Sequence, residues 1–176
     1  QGDWSSDVCS SDLPDTLEDS HATAGMKIAL DVMGGDFAPQ NPIGGVKLAL
    51  ESLPAITKLF LVGNPAAIEQ ELQKQGISSP KLEIVPASQV VEMSDSGIDA
   101  VRKKKDSSIS IAVDMVKDGR AEAVVSAGHT GAAVTASLIK MRTLRHIERP
   151  AIASLMPSLT KHWLLIDAGA NPDSEP

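Results

Sequence analysis

The chain has 176 residues and a formal net charge of −7, and this length is enough for one domain with a proper core. The charge is uneven, because residues 1–25 carry six acidic side chains and no Lys or Arg, whereas the rest holds 17 acidic and 16 basic ones. A nearly neutral body with two Trp, two Phe and no Tyr excludes bulk nucleic-acid binding and a base-stacking platform. The single cysteine, Cys9, excludes an internal disulfide and suits a reducing compartment, and no apolar run is long enough to cross a bilayer.

The first 25 residues are predicted to lie outside the fold. They are polar and acidic, show no helical or strand period, and lack the basic start and apolar middle of a signal peptide. Their repeated Ser-Ser-Asp-Val and Ser-Ser-Asp-Leu segments look like translated vector or adapter sequence, and Met26 is the expected true start. We therefore interpret 1–25 as a non-native or disordered leader, whose deletion leaves thermal stability unchanged. This interpretation removes Cys9 from the candidate nucleophiles.

From Met26 onward, short apolar runs alternate with helical patterns. Strands are predicted at 27–33, 58–63, 81–85, 121–127, 151–155 and 163–167, with helices between most of them. The helix after the first strand has Asn41 as N-cap and Ile43, Val46, Leu50 and Leu53 as its buried stripe, and the next has Asn64 as N-cap and Gly76 just past its end. Because intervening helices make the crossovers long, we expect an α/β fold: a Rossmann-like, three-layer α/β/α arrangement with a mostly parallel, truncated sheet. Strand 163–167 is expected to be central in that sheet, and 86–106 is less regular.

The stretch 121–132 is the one around which the chain is organised. An apolar strand is followed by the small turn Gly128, His129, Thr130 and Gly131, and then by a helical pattern from Ala132. This order aims free backbone N–H groups and the positive end of a helix dipole at one point, which favours a bound phosphate. A tight βα turn without any ligand is the alternative.

A basic run precedes another predicted helix start. Arg102 to Lys105 comes just before Ser107 and Ser108, which could cap a helix whose apolar positions are Ile109, Ala112, Val113 and Val116. Lysines and hydroxyl groups beside a helix N-terminus predict a phosphate clamp that converges with the 128–131 turn. A solvated basic loop is the alternative interpretation.

Three glycine turns, at 34–35, 128–131 and 169–171, follow strand ends, with Asp31 and Asp167 close to two of those ends. Ligands of open parallel sheets bind at this rim. Ser126 and His129 are three residues apart, but a shared turn is weak evidence for a nucleophile and base. The motifs GxSxG, HExxH, CxxC, GxGxxG and Walker A are all absent, so neither a metal nor a dinucleotide cofactor is predicted.

Five ordered blocks resemble the PlsX family of phosphate acyltransferases. They are Asp31-Val-Met-Gly-Gly-Asp36-Phe-Ala-Pro39, Lys104-Lys-Asp-Ser-Ser-Ile109, Val125-Ser-Ala-Gly-His-Thr-Gly-Ala132, Ile147-Glu-Arg-Pro150 and Asp167-Ala-Gly-Ala-Asn-Pro-Asp173. The family usually has Asn where this chain has His129. Its chains also continue for about as much again, so 26–176 is interpreted as the N-terminal part of the domain.

The resemblance implies transfer of a fatty acyl group from acyl carrier protein to inorganic phosphate, in bacterial phospholipid synthesis. It also implies a homodimer when full length, no cofactor, and a cytoplasmic enzyme that is either soluble or peripherally bound at the inner face of the cell membrane. The candidate catalytic residues are Asp31, Asp36, Lys104, Lys105, Ser126, His129, Asp167 and Asn171, and the candidate phosphate-binding residues are Ser107, Ser108, Gly128, Thr130 and Gly131. Two alternatives stay open: an acyl-coenzyme A-dependent phosphate acyltransferase, and a non-catalytic domain that binds phosphate or nucleotide. This part of the protein is expected to be inactive alone.

Overall fold

A computed structural model describes residues 25–92, 94–95, 97–147, 150–159 and 161–166. Its main sheet has four strands in the order β3-β2-β1-β4, and every neighbouring pair is parallel. The elements are β1 (Met26–Asp31), α1 (Gln40–Ser52), β2 (Ile56–Gly63), α2 (Pro65–Gln75), β3 (Leu82–Pro86), α3 (Gly97–Lys103), α4 (Ser108–Lys117), β4 (Ala123–Ser126), α5 (Thr130–Met141), β5 (Ala153–Pro157) and β6 (His162–Ile166). The predicted α/β class with a mostly parallel sheet is confirmed.

Alternating side chains of the sheet divide the core into two layers, because successive residues of a strand point to opposite faces. On one face, Leu59 and Leu61 of β2 pack with buried residues of α1 and α2, including Ile43 and Ile68. The opposite face carries Ala29, Phe60, Val62 and Val85, which pack with Ala112 and Met115 of α4. A third cluster joins α3, α4 and α5 through Val101, Ile109, Val113 and Ala136. The architecture is therefore three-layered.

Helices α1 and α2 differ in the residues that cap them. Asn64 is the predicted N-cap of α2, and its side chain accepts a hydrogen bond from the Ala67 N–H at 3.2 Å. The prediction of Asn41 as the N-cap of α1 was wrong, because that helix already begins at Gln40 with Pro39 at the cap position and no side-chain cap. Leu53 of the predicted stripe ends α1 and is 49% exposed, whereas Gly76 ends α2 with a φ of 66°, which glycine adopts without strain.

The prediction of a central parallel strand at 163–167 was wrong for its described residues. β6 pairs antiparallel with β5, and the two form a separate two-stranded sheet. Only Ser158 to Lys161 join them, and the Ser158 N–H donates to the Lys161 carbonyl at 3.1 Å. A connection this short closes a hairpin, whereas a parallel pair needs a crossover of a dozen or more residues.

The segment 86–106, expected to be irregular, contains the short helix α3. Asp106 ties this segment to the end of β3, because its carboxylate accepts hydrogen bonds from the N–H and the hydroxyl of Ser88. Within the part of the chain that the structure describes, no helix is long and apolar enough to span a membrane.

Candidate functional site

The carboxyl ends of β1 and β4 bring together two residues that are 95 positions apart in sequence. Asp31 and Ser126 are register partners in adjacent strands, and the Ser126 hydroxyl donates to Asp31 Oδ2 at 2.8 Å. The other carboxylate oxygen of Asp31 accepts from the Met33 N–H at 3.2 Å, and Ser126 Oγ accepts from the Gly128 N–H at 3.1 Å. A continuous chain of hydrogen bonds thus runs from Gly128 through Ser126 to the buried Asp31.

The two glycine turns beyond these strands touch each other. A Cβ built on Gly34 would lie 2.6 Å from Asp31 Oδ2 and 2.9 Å from both the Gly128 nitrogen and Ser126 Oγ. A Cβ on Gly128 would lie 2.9 Å from the Gly34 Cα. Both positions therefore need glycine because the backbone of the other turn lies too close for a Cβ atom. Neither glycine has the positive φ that only glycine adopts readily.

The helix start after the second turn offers unpaired donors. His129 is the N-cap of α5, and its Nδ1 accepts from the Ala132 N–H at 3.1 Å. Within the described residues, the N–H groups of Thr130 and Gly131 have no acceptor. These two donors sit at the positive end of the helix dipole, which is a ready site for an anion.

A second helix start faces the same region. Ser108 and Ile109, at the beginning of α4, line a small cleft together with Asp31, Gly34, Gly128 and His129. Ser107 is the N-cap of α4 by position but makes no side-chain cap, and its buried hydroxyl has no hydrogen-bond partner within the described chain. Ser108 thus lies near the 128–131 turn, and the phosphate-binding role of both serines stays a prediction.

The two lysines of the expected clamp lie in different places. The Lys104 ammonium donates to an Asp95 carboxylate oxygen at 2.6 Å and to the Val90 carbonyl at 2.9 Å. Lys105 is exposed and borders a separate hollow that is also lined by Ile139 and Lys140, near the far end of α5. The structure therefore does not bring Lys105 to the anion-facing helix starts, and it gives Lys104 an internal partner.

Asp95 was not among the predicted catalytic or phosphate-binding residues, although it contacts both Lys104 and His129 of the 128–131 turn. Its carboxylate accepts from Lys104 and from the Glu92 N–H at 2.8 Å, and its backbone carbonyl lies 2.9 Å from His129 Nε2. The Lys104 hydrogen bond is the main reason why the pKa of Asp95 lies below its ordinary value. An acidic residue nine positions before Lys104 was the available sequence signal, but only the fold pairs them.

The Asp95–Lys104 pair should make folding sensitive to acid. Because the pKa of Asp95 is lowered in the folded protein, its contribution is present above the ordinary aspartate pKa and is lost as pH falls through the lowered value. We expect Asp95→Asn to lower the melting temperature near pH 7 and to converge with the parent chain at strongly acidic pH. Thermal scans over this range check it, and a constant difference at all pH values would contradict it. Exposed Asp118→Asn is the control.

Asp36 is exposed and is one of the residues that line an apolar groove of about 520 Å³. The groove runs between α1 and the β1–β4 part of the sheet, and its walls include Leu30, Val46 and Val125. Sequence reasoning found no such groove. Two further candidates, Asp167 and Asn171, and the third glycine turn at 169–171, lie outside the described residues.

The chain is similar to known proteins over its whole body. The family model described as "Fatty acid synthesis protein" matches residues 26–176. A phosphate acyltransferase from Akkermansia muciniphila is 52% identical over 151 residues, and one from Desulforudis audaxviator is 48% identical; each alignment covers 86% of this chain and 43% of the relative. The chain thus spans less than half the length of these relatives. A phosphotransacetylase structure from Streptococcus pyogenes has a TM-score of 0.55 and 16% identity, covering 80% of this chain and 46% of that one, which supports the fold alone.

Proposed function

We infer the function from one premise: this chain belongs to the fatty acid synthesis protein family, which is the PlsX family of phosphate acyltransferases. We propose that the whole protein transfers a fatty acyl group from acyl carrier protein to inorganic phosphate, and that the acyl phosphate enters bacterial phospholipid synthesis. We further propose that 26–176 is the N-terminal part of this enzyme and acts in a homodimer with peripheral membrane contact.

The proposed reaction needs no enzyme nucleophile. A phosphate oxygen attacks the thioester carbonyl carbon, a tetrahedral oxyanion forms, the carbon–sulfur bond breaks, and the leaving thiolate takes up a proton. Phosphate is already ionised near neutral pH, so the enzyme has to position one anion and stabilise another. Fixed N–H donors in a preorganised site address both requirements.

One observation carries the proposal: within the residues that the structure describes, the Thr130 and Gly131 N–H groups are unpaired at the start of α5, where an anion would be held. Two neighbouring polar groups of the same turn already have partners. The Ser126 hydroxyl donates to Asp31, and the Gly128 N–H donates to the Ser126 hydroxyl oxygen. We therefore assign Ser126 and Asp31 to holding the turn, and Thr130 and Gly131 to binding phosphate.

Replacing Thr130 by proline tests this assignment, because proline removes the N–H yet is well tolerated at the first position of a helix. His129 already has the extended backbone, with ψ of 104°, that a residue before proline prefers. A hydrogen bond to a charged group contributes about 1.5–3 kcal/mol, so we expect the phosphate KM to rise about tenfold or more. Thr130→Ala, which keeps the N–H, is the matched control.

The assay uses a chimera in which residues 26–176 replace the matching part of the Akkermansia muciniphila relative. Acyl phosphate formation is measured with acyl carrier protein and with coenzyme A as the acyl donor. Preference for coenzyme A would favour the related acyltransferase, and phosphate binding without turnover would favour a non-catalytic domain. An unchanged phosphate KM in Thr130→Pro would refute the proposed donor pair.

A further inference from the structure

The ring of His129 lies between a backbone donor and a backbone acceptor. The Ala132 N–H can only donate, so the Nδ1 that accepts it must carry a free lone pair. The proton of the neutral ring is then on Nε2, which lies 2.9 Å from the Asp95 carbonyl and donates to it. The imidazole therefore makes two hydrogen bonds, and the one that Nδ1 accepts requires the neutral ring, whereas Nε2–H can donate in either protonation state. Ser, Thr, Asp and Asn are the usual N-caps, and none of them titrates as a histidine does.

These two bonds connect the start of α5 to a neighbouring segment. Asp95 holds the Lys104 ammonium and the Glu92 N–H, so the ring fastens the turn to this ion pair. The first residue of α3 also packs closely against this helix start. A Cβ built on Gly97 would lie 2.9 Å from the carbonyl carbon and oxygen of Gly131. His129 thus adds hydrogen bonds to a junction that the close approach of Gly97 and the apolar cluster of α3, α4 and α5 also hold together.

We propose that His129 is a positioning residue that keeps the Thr130 and Gly131 N–H groups aimed at an anion only while its imidazole is neutral. This inference rests on the proposed function, because the anion is the phosphate substrate. His129 itself touches neither substrate nor reacting atoms in this role. It acts through the backbone of the first turn of α5.

Protonation removes the cap for two physical reasons. An imidazolium has N–H groups on both nitrogens, so Nδ1 would face the Ala132 N–H as a second donor. Its positive charge would also lie at the positive end of the helix dipole. Among the described charged side chains, Lys104 opposes the cation as well, whereas Asp95 and the Asp31 carboxylate across the cleft favour it. The ring would therefore turn away from Ala132 toward these carboxylates.

The first test measures amide hydrogen exchange at the start of α5 in the 176-residue chain. After correction for the intrinsic pH dependence of exchange, acidification from about pH 8 to 5.5 should reduce protection around Ala132, because a protonated ring cannot accept its N–H. His129→Asn, which retains a capping oxygen without a titrating ring, should show no such loss. His146→Asn alters an exposed histidine elsewhere and should behave like the parent chain. Equal pH dependence in the parent and His129→Asn would overturn the neutral cap.

The second test measures the phosphate KM of the chimera over the same pH range. Because inorganic phosphate titrates there too, the relevant quantity is the KM of the parent divided by that of His129→Asn at each pH. Losing an N-cap costs about 1 kcal/mol, so this ratio should rise about fivefold on acidification, with kcat changing less. A ratio independent of pH would overturn the positioning role. If no variant requires phosphate, the proposed function fails and this role fails with it, while the exchange data still decide the capping state.

Discussion

Replacing Gly34 by alanine should strongly reduce activity and should destabilise the fold more than a methyl group added at any other glycine of this site. The new Cβ would lie 2.6 Å from Asp31 Oδ2 and 2.9 Å from the Gly128 nitrogen. It therefore enters the hydrogen-bonded chain that joins the two turns. Backbone atoms cannot move aside as the end of a flexible side chain does, so the turn after β1 and the turn after β4 must separate.

The expected magnitude follows from two losses. Overpacking a close contact costs about 1–3 kcal/mol, and breaking a hydrogen bond to a charged group costs about 1.5–3 kcal/mol. We expect a total destabilisation of about 3 kcal/mol, because the strain and the broken bond overlap. Activity of the chimera should fall by at least about a hundredfold, since an ångström-scale misplacement can have that effect on catalysis.

Gly44→Ala is the matched control. Gly44 lies within α1, outside the groove lining, and a Cβ there would lie 3.5 Å from the flexible Gln75 side chain, so alanine should raise helix stability by up to about 1 kcal/mol. Chemical denaturation of both variants, with the chimera assayed in parallel, separates a site-specific clash from a general intolerance of the methyl group. Gly34→Ala with parental stability would show that the turns are free to move apart.

The sequence was informative where local signals and fold agree. Proline after Asn64 and glycine at 76 marked both ends of α2 correctly, and the short apolar runs marked the four parallel strands. Local rules failed at 151–166, where two apolar strands are joined by a turn without an Asn-Gly or Asp-Gly signal. An apolar run of this length has no period that distinguishes a buried central strand from an exposed hairpin strand.

For the candidate site, the sequence indicated where single residues lie but not which of them are in contact. Asp31 and Ser126 could each be placed near a strand end, but their contact depends on β4 lying beside β1, which is a property of the sheet order. His129 could be seen before a helical pattern, yet its capping role depends on the ring reaching Ala132 and Asp95 together. The two lysines of the expected clamp lie just after α3, where Lys104 pairs with Asp95 and Lys105 borders a separate hollow, and neither contact could be read from the local sequence.

The 26–176 fragment should self-associate when purified. Parallel sheets normally have both faces covered, but the described residues leave the groove beside α1 open over β1 and β4. Val125 on the groove wall is 49% exposed, and within the described chain β4 pairs only with β1. The β5–β6 hairpin exposes a second apolar surface, on which Leu164 is 60% exposed. Unpaired strand edges and contiguous apolar patches are both routes to association.

We propose that a further apolar segment of the longer protein covers this groove, as the relatives have more than twice the aligned length. Sedimentation of 26–176 should give a mass that rises with concentration. Val125→Lys should shift the distribution toward monomer because it places a charge on the groove wall. Leu48→Lys changes a leucine that is 65% exposed on α1 and is not among the groove residues, so it should have little effect.

Activity provides the second readout of the same prediction. The fragment alone should form no detectable acyl phosphate, and the chimera should be both active and less prone to associate, because the added polypeptide covers the groove and the edge of β4. Val125→Lys in the chimera should then lower its stability, since the lysine would be buried against that polypeptide without a partner. A monodisperse and fully active 26–176 fragment would contradict the prediction, and would place the complete catalytic site within these residues.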